Sequence, residues 1–376
     1  MVRNVAWVVL ICLLLGAAGA FQHGLKNQMY DFEVYRVAGV RAAAGESLYR
    51  VEDGHWQFKY FPAFALAIAP IAHLPAMTAR AVWLGLSVVL LVVLVSLSTS
   101  LLPDRRHSAL FVAGFASLAL GKFFIREIGL GQSNILMAVL VLSAVAAWRA
   151  KREGTAGALL AAATIVKPYA VLFLPYLVFR RRARGTAAYL GVVAAALLFP
   201  VVRYGWSGNV ALLKDWYATV TQSTAPNLAG QDNTSIAGMF AAWFGVGPLA
   251  SWLALALLLA LLAVCARAIL KARGVNHAEY LDAALLLFLI PLGSPQGWDY
   301  VLLVSAPAVM LLIDRLDEMA RPIQWIVVAC MAIMGLSIWD VMGREGYRLF
   351  MMSRVVSICA LVELGLVLRL RDRGRA

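Results

Sequence analysis

Long apolar runs, separated by short polar stretches, fill nearly the whole chain. Within the runs the apolar residues are continuous rather than alternating, which argues for helices and against a membrane barrel. After a first run at Val5–Phe21, the pattern predicts helices at about 78–101, 109–122, 134–148, 155–179, 186–203, 248–270, 280–293, 299–313, 323–338 and 353–370. A membrane-crossing helix needs about 20 apolar residues. The expectation is therefore an all-α, polytopic helical membrane protein. Residues 1–376 read as one domain, without internal repeats or low-complexity linkers.

Composition strengthens this reading. The 376 residues are 62% apolar and 14% charged, and the mean hydropathy is +0.80. A soluble domain is nearer half apolar and a quarter charged, and a disordered chain is poorer still in apolar residues. The net charge is +13, from 33 Lys+Arg against 20 Asp+Glu. No basic stripe interleaved with aromatics supports nucleic-acid binding; basic clusters instead mark the cytoplasmic ends of membrane helices.

Those clusters set the expected topology. Ala18-Gly19-Ala20 resembles a signal-cleavage site, but an uncleaved anchor suits a chain whose remainder is membrane-embedded. Both termini are then cytoplasmic, in the cell membrane, and segments 22–77 and 204–247 lie outside. The run 155–179 begins after Arg149–Arg152 and ends at Arg180–Arg184, so both ends belong on the cytoplasmic side. Lys167-Pro168 interrupts its middle, and proline disfavours helix at and before itself. The expectation is a re-entrant hairpin, 155–166 and 168–179, with Lys167 at its outer tip. About eleven to twelve membrane helices result, with an interfacial helix at 63–73. Trp56, Tyr49 and Tyr60 suit the headgroup level. Cys12, Cys265, Cys330 and Cys359 fall in apolar runs as packing residues. No ligand spacing suggests a metal, and no motif suggests a cofactor.

The outer segments hold the unusual polar residues. Asp31 reads as a helix N-cap or as a general base. Tyr35 shares its helix face and Arg36 is adjacent. Lys167 either snorkels to the interface or presents a cation to an anion near the surface. Polar clusters at 129–134, 230–235 and 293–300 contribute Gln132, Asn134, Gln231, Asn233, Trp298 and Asp299. Each cluster is either a helix cap or part of a site for a hydroxyl-rich ligand.

These residues in order carry a resemblance. Asp31-x-x-x-Tyr35-Arg36, Gly45-x-x-Leu48-Tyr49, Phe58-x-Tyr60-x-Pro62 with Pro70, Gly131-Gln132-Ser133-Asn134 and Lys167-Pro168 resemble the polyprenyl-phosphate-dependent glycosyltransferases of family 87, which share the GT-C fold. The resemblance implies an inverting enzyme moving a sugar, mannose first among candidates, from a polyprenyl-phosphate donor to a lipid or glycan acceptor outside. It maps the essential acid to Asp31 and a phosphate-binding cation to Lys167, with Arg36 or Lys59 assisting. Tyr35, Tyr60, Gln132, Asn134, Tyr169, Gln231, Asn233, Trp298 and Asp299 are the expected substrate contacts. Membrane lipids are the expected surroundings, and neither metal nor cofactor is expected. Gln296-Gly297-Trp298-Asp299-Tyr300 lacks the histidine that members often carry there. Two rival classes are weaker. A transporter or flippase of lipid-linked sugars would show inverted repeats and midplane polar residues. A non-catalytic membrane subunit leaves Asp31 and Lys167 unexplained.

Overall fold

The structure is a computed structural model that describes residues 29–271 and 278–373. The Val5–Phe21 run, with its anchor reading and Cys12, lies outside the described residues. No strand occurs among the described residues; Asn233 and Trp298 form an isolated antiparallel bridge. By internal packing the chain forms two compact units. One comprises Ile125–Ser223 with the described residues up to Val93; the other comprises Leu94–Phe124 and the chain from Thr224 onward.

The first unit opens with α1, Tyr30–Ala44, which stops where Gly45 adopts φ 75° and turns its N–H back to the carbonyls of Arg41 and Ala42. This is the left-handed glycine stop that glycine makes without strain. Helix α2, Pro62–Ala72, starts on proline, whose missing N–H costs nothing at a first helical position. It matches in extent the short helix expected at 63–73. Gly39 lets α1 and α2 close together, since a Cβ there would lie 2.8 Å from the Ala72 Cβ. Helix α3, Ala76–Ser100, follows and passes into the second unit at Leu94; α4, Ala109–Leu130, belongs to the second unit up to Phe124 and to the first from Ile125. Then come α5, Asn134–Arg149; α6, Glu153–Val166; α7, Phe173–Phe179; α8, Ala183–Leu198; and α9, Val201–Gln222. Phe61 stacks on Trp216 of α9, whose indole N–H donates to the Lys59 carbonyl at 3.2 Å.

The 155–179 segment breaks where expected. Lys167 is extended (φ −140°, ψ 108°) between α6 and a short 3-10 turn, Pro168–Leu172, that leads into α7. The start of α6 packs against the start of α8: a Cβ on Gly157 would meet the Gly185 carbonyl oxygen at 2.0 Å, and one on Gly185 would lie 3.3 Å from the Glu153 carbonyl. Further along, Thr164 and Tyr189 share a hydrogen bond of 2.7 Å. Helices α6 and α8 therefore run side by side in one direction, and the chain between them must return to where it began. The returning leg, α7, leans on α8.

The second unit contains α10, Ile236–Phe244; α11, Pro248–Lys271; α12, Ala278–Gly293; α13, Ala306–Asp314; α14, Arg321–Leu336; α15, Trp339–Met352; and α16, Val355–Arg373. Its core is α12 and α13, where nearly every residue is buried. The buried polar groups there are partnered. Tyr280 donates to the carbonyls of Ser98 and Pro307 at 2.8 and 3.0 Å, and Arg371 pairs with Asp282. Cys265, Cys330 and Cys359 are buried, as packing residues should be.

Among the described residues three helices are long and apolar enough to cross a membrane: α3, α4 and α11. Two bent pairs qualify when each is joined: α8 with the chain beyond Pro200, bent by 90°, and α14 with α15, bent by 94°. This makes up to five spans by length and composition. The expected eleven to twelve also includes the Val5–Phe21 run, outside the described residues, and apolar runs that form shorter helices. Helices such as α5 and α6 have 16 and 14 residues, and at about 1.5 Å per residue they fall short of a bilayer core about 30 Å thick.

The common origin of α6 and α8 predicts a labelling pattern. Single cysteines at the exposed Arg152 and Ala183 should react with an impermeant thiol reagent from the same side of a sealed vesicle. Reaction from opposite sides would make 155–179 a single crossing.

Candidate active site

The first unit gathers its polar side chains around Lys167. The break before Pro168 frees this residue from helical geometry, and its side chain is buried. The ammonium donates to Tyr60 Oη at 2.8 Å and to Gln132 Oε1 at 2.8 Å. It also lies 4.6 Å from the Tyr60 ring centroid, within cation–π range. Tyr35 Oη donates to the same Gln132 oxygen at 2.8 Å and shares a 2.7 Å hydrogen bond with Tyr60 Oη.

Gln132 reaches this place because of Gly131. That glycine has φ 71°, and a Cβ on it would meet Phe32 Cβ at 2.6 Å and Met29 Cε at 2.9 Å. Trp83 holds the turn by donating its indole N–H to the Gly131 carbonyl at 2.8 Å. Trp83 also stacks on Phe32 of α1. The loop before α5 is thus pressed against the start of α1, where Asp31 sits.

Asp31 is the second residue of α1, and Met29 holds the N-cap position. Asp31 is in the first turn, where the helix dipole favours a carboxylate, but it is not the cap the sequence allowed. Its carboxylate is hydrogen bonded to the Gln132 side chain. A carboxylate only accepts, so the amide end of Gln132 faces Asp31 while the carbonyl end faces Lys167. Burial raises the Asp31 pKa; the Gln132 hydrogen bond and the charges of Lys167, His55 and Lys59 pull it back. Lys59 is half-buried, and burial lowers its pKa against the opposing pull of Asp31. Burial also holds the Tyr35 phenol well above its usual pKa, so it remains a donor.

A second layer supports the first. Tyr169 Oη donates to Asn134 Oδ1 at 2.6 Å, and the Tyr169 ring lies 5.9 Å from the Lys167 ammonium. Asn134 is held by Glu127, which the sequence reading passed over. Glu127 Oε1 accepts the backbone N–H groups of Asn134 and Ile135 at 2.5 and 3.2 Å, and Oε2 accepts Asn134 Nδ2 at 2.8 Å. The available signal was its position as the one acidic residue in the apolar run of α4.

Asp31, Tyr35, Tyr60, Gln132, Asn134, Lys167 and Tyr169 thus form one connected cluster, with Lys59 in electrostatic reach. Arg36 does not join it. Its guanidinium pairs with Glu33 at 2.6 Å on another side of α1, where Arg80 binds the same carboxylate at 3.2 Å. The Tyr60 hydroxyl is engaged by Lys167 and Tyr35.

Gln231, Asn233, Trp298 and Asp299 belong to the second unit and make a cluster of their own. Asn233 Nδ2 donates to the carbonyls of Asn227, Leu228 and Pro295. Arg354 donates to the carbonyls of Ala229, Gln231 and Asn233. Asp299 is buried 2.9 Å from Lys122, and Trp298 packs beside Gly230. Ser235 caps α10 by accepting the Gly238 N–H at 2.9 Å. For Asn233 and Asp299, then, loop bracing and ion pairing account for the polar groups.

Residues 58–295 match the sequence profile of glycosyltransferase family 87. No curated protein matches the chain.

The bridging role of Gln132 is testable without an activity. Gln132→Leu removes the acceptor for Lys167 and the donor to Asp31, leaving buried charge short of partners. It should destabilise the protein by about 2–4 kcal/mol, as measured by unfolding in detergent. A loss below about 0.5 kcal/mol, the scale of an ordinary surface change, would show that Gln132 does not hold the pair.

Proposed function

We propose that this chain, which belongs to glycosyltransferase family 87, uses the Asp31–Gln132–Lys167 cluster to transfer a sugar from a polyprenyl-phosphate donor to a hydroxyl of a lipid or glycan acceptor. The family makes the protein a glycosyltransferase, and its helices make it a membrane protein. The observation that carries the finer reading is one carboxamide holding a carboxylate at one end and a buried ammonium at the other.

The two charges suit the two halves of the reaction. An acceptor hydroxyl is a poor nucleophile until its proton is taken, and Asp31 is the base. As the acceptor oxygen bonds to the anomeric carbon, the bond from that carbon to the phosphate oxygen breaks. Its electron pair stays on the phosphate, where Lys167 stabilises the growing charge. Lys59 is the second cation in reach of the site; Arg36, engaged by Glu33, takes no part. One displacement by one carboxylate inverts the anomeric centre, whereas double displacement needs two carboxylates. Tyr35, Tyr60, Asn134 and Tyr169 shape the sugar and phosphate subsites with hydroxyl and amide groups. Mannose is the leading sugar among hexoses and pentoses. A lipid-borne donor suits a site at the outer face of the cell membrane, with both termini in the cytoplasm.

The test is turnover of a synthetic short-chain polyprenyl-phosphate mannose by the purified protein, with the glycosylated product identified by mass. Parallel donors carrying arabinose, glucose and galactose identify the sugar. Movement of the lipid-linked sugar across a vesicle without a new glycosidic bond would mark a transporter instead.

Asp31→Asn should lower turnover by at least about a hundredfold, the scale of a lost general base. Its effect on stability should have the opposite sign. The folded pKa of Asp31 lies above its unfolded value, so the ionised carboxylate costs stability once pH exceeds both. At pH 8 the variant should therefore melt no lower than the wild type. For the wild type, kcat/KM should rise with pH through an apparent pKa above the ordinary carboxylate value of about 4. Near-normal turnover in folded Asp31→Asn would remove Asp31 from the mechanism.

A further inference from the structure

Glu127 has more than a cap requires. The N-terminus of α5 needs an acceptor, which a neutral serine or asparagine side chain supplies about as well as a carboxylate. At this helix start Ser133 stands in the N-cap position but makes no cap bond. Instead a fully buried carboxylate comes from the last turn of α4. Its three hydrogen-bond partners, the backbone N–H groups of Asn134 and Ile135 and Asn134 Nδ2, all donate to it. None can accept a proton from it, so the contacts fit the ionised form. The Asn134 side chain that Glu127 holds accepts from Tyr169, whose ring lies 5.9 Å from the Lys167 ammonium, so one layer of side chains separates the carboxylate from the cation whose charge it feels.

The charges around the site therefore balance. Lys167 and Lys59 supply two positive charges, and Glu127 and Asp31 supply two negative ones. The other groups facing Lys167 are the phenols of Tyr60 and Tyr169 and the Gln132 amide; His55 acts on Asp31 from the exposed turn at residues 51–56. A bound anion meets one ammonium already partly compensated from behind. Every negative charge on a ligand is drawn by Lys167 and Lys59 and repelled by Glu127 and Asp31, so the carboxylate behind Lys167 penalises a dianion about twice as strongly as a monoanion.

Resting on the donor reading above, we propose that Glu127 sets the charge selectivity of the Lys167 subsite, making it a receptor for a monoanionic phosphodiester headgroup and a poor one for a dianionic phosphomonoester. In the transfer reaction the donor is such a phosphodiester. The sugar–oxygen bond breaks, the electron pair stays on phosphate, and the acceptor proton goes to Asp31. The leaving lipid phosphate is now the dianion. When Asp31 releases its proton to solvent, the pocket holds one negative charge more than it began with, and the product is expelled. Glu127 acts through Lys167 and touches no substrate, so its role is in positioning and charge.

The probes are a ten-carbon prenyl phosphate and its methyl diester, bound to the full-length protein in detergent. At pH 8 the diester should bind at least about tenfold tighter than the monoester, the scale of one like-charge contact at close range. The monoester loses its second proton near pH about 6, so the two affinities should converge as pH falls to 5. Asp31 also repels the dianion more than the monoanion, so the comparison of wild type with Glu127→Gln, in which Asp31 is unchanged, isolates the share due to Glu127. Glu127→Gln should lower the pH 8 ratio at least severalfold, and Glu127→Asp should restore most of it. A cap-only role would change both affinities in parallel and leave the ratio where it was, which overturns the proposal. Should Glu127→Gln fail to fold, the wild-type pH series still decides: a monoester that gains on the diester between pH 5 and 8 overturns it. If neither probe binds the wild type, the donor reading fails and this inference with it. If both bind with a ratio that Glu127→Gln leaves unmoved, only this inference fails.

Discussion

A buried ammonium has to be answered by its surroundings, and Lys167 imposes that demand on the first unit. Desolvating such a charge costs several kcal/mol unless hydrogen bonds and opposite charge replace the lost water. Here the replacement comes from four separate stretches of chain. Tyr60 comes from the segment before α2, Gln132 from the loop before α5, Tyr169 from the turn after α6, and Glu127 from the end of α4. Two of these stretches show their local cause: proline after Lys167 sets the turn that carries Tyr169, and a left-handed glycine, its carbonyl fastened by an indole, places Gln132. Without the ammonium these polar groups would lack a common partner. Without them the ammonium would not remain inside.

The same arrangement keeps acid and base apart. A direct ion pair between Asp31 and Lys167 would satisfy both and leave little for a substrate. Gln132 separates them, donating to one and accepting from the other. The intervening amide lets each group stay charged while each still has capacity for a further partner. Burial pushes Asp31 toward neutrality and the nearby cations pull it back, a balance that suits the base proposed for the transfer.

Much of this was legible in the residues. The break at Lys167-Pro168 follows from proline chemistry, and the return of the chain follows from basic residues at both ends of 155–179. The pairing of Asp31 with Tyr35 on one helix face follows from spacing alone. Other features depend on tertiary contacts that no spacing encodes. Arg36 follows Tyr35 in sequence but lies on another side of α1, where Glu33 and Arg80 settle its partner. Asn233 looks like a ligand-binding amide until the carbonyls of Asn227, Leu228 and Pro295 surround it. Glu127 looks like a stray charge in an apolar helix until α5 begins against it. In each case the side chain's role depends on the residues that surround it, and those come from distant parts of the chain.

The contact between Gly157 and Gly185 bears on how the protein is made. Helix α6 has 14 residues and α7 only 7. At about 1.5 Å per residue neither can hold a transmembrane position unaided. Their place depends on α8, which is synthesised later and must slide its glycine against the first turn of α6. The packing that fixes α6 and α7 is therefore complete only once α8 has been made.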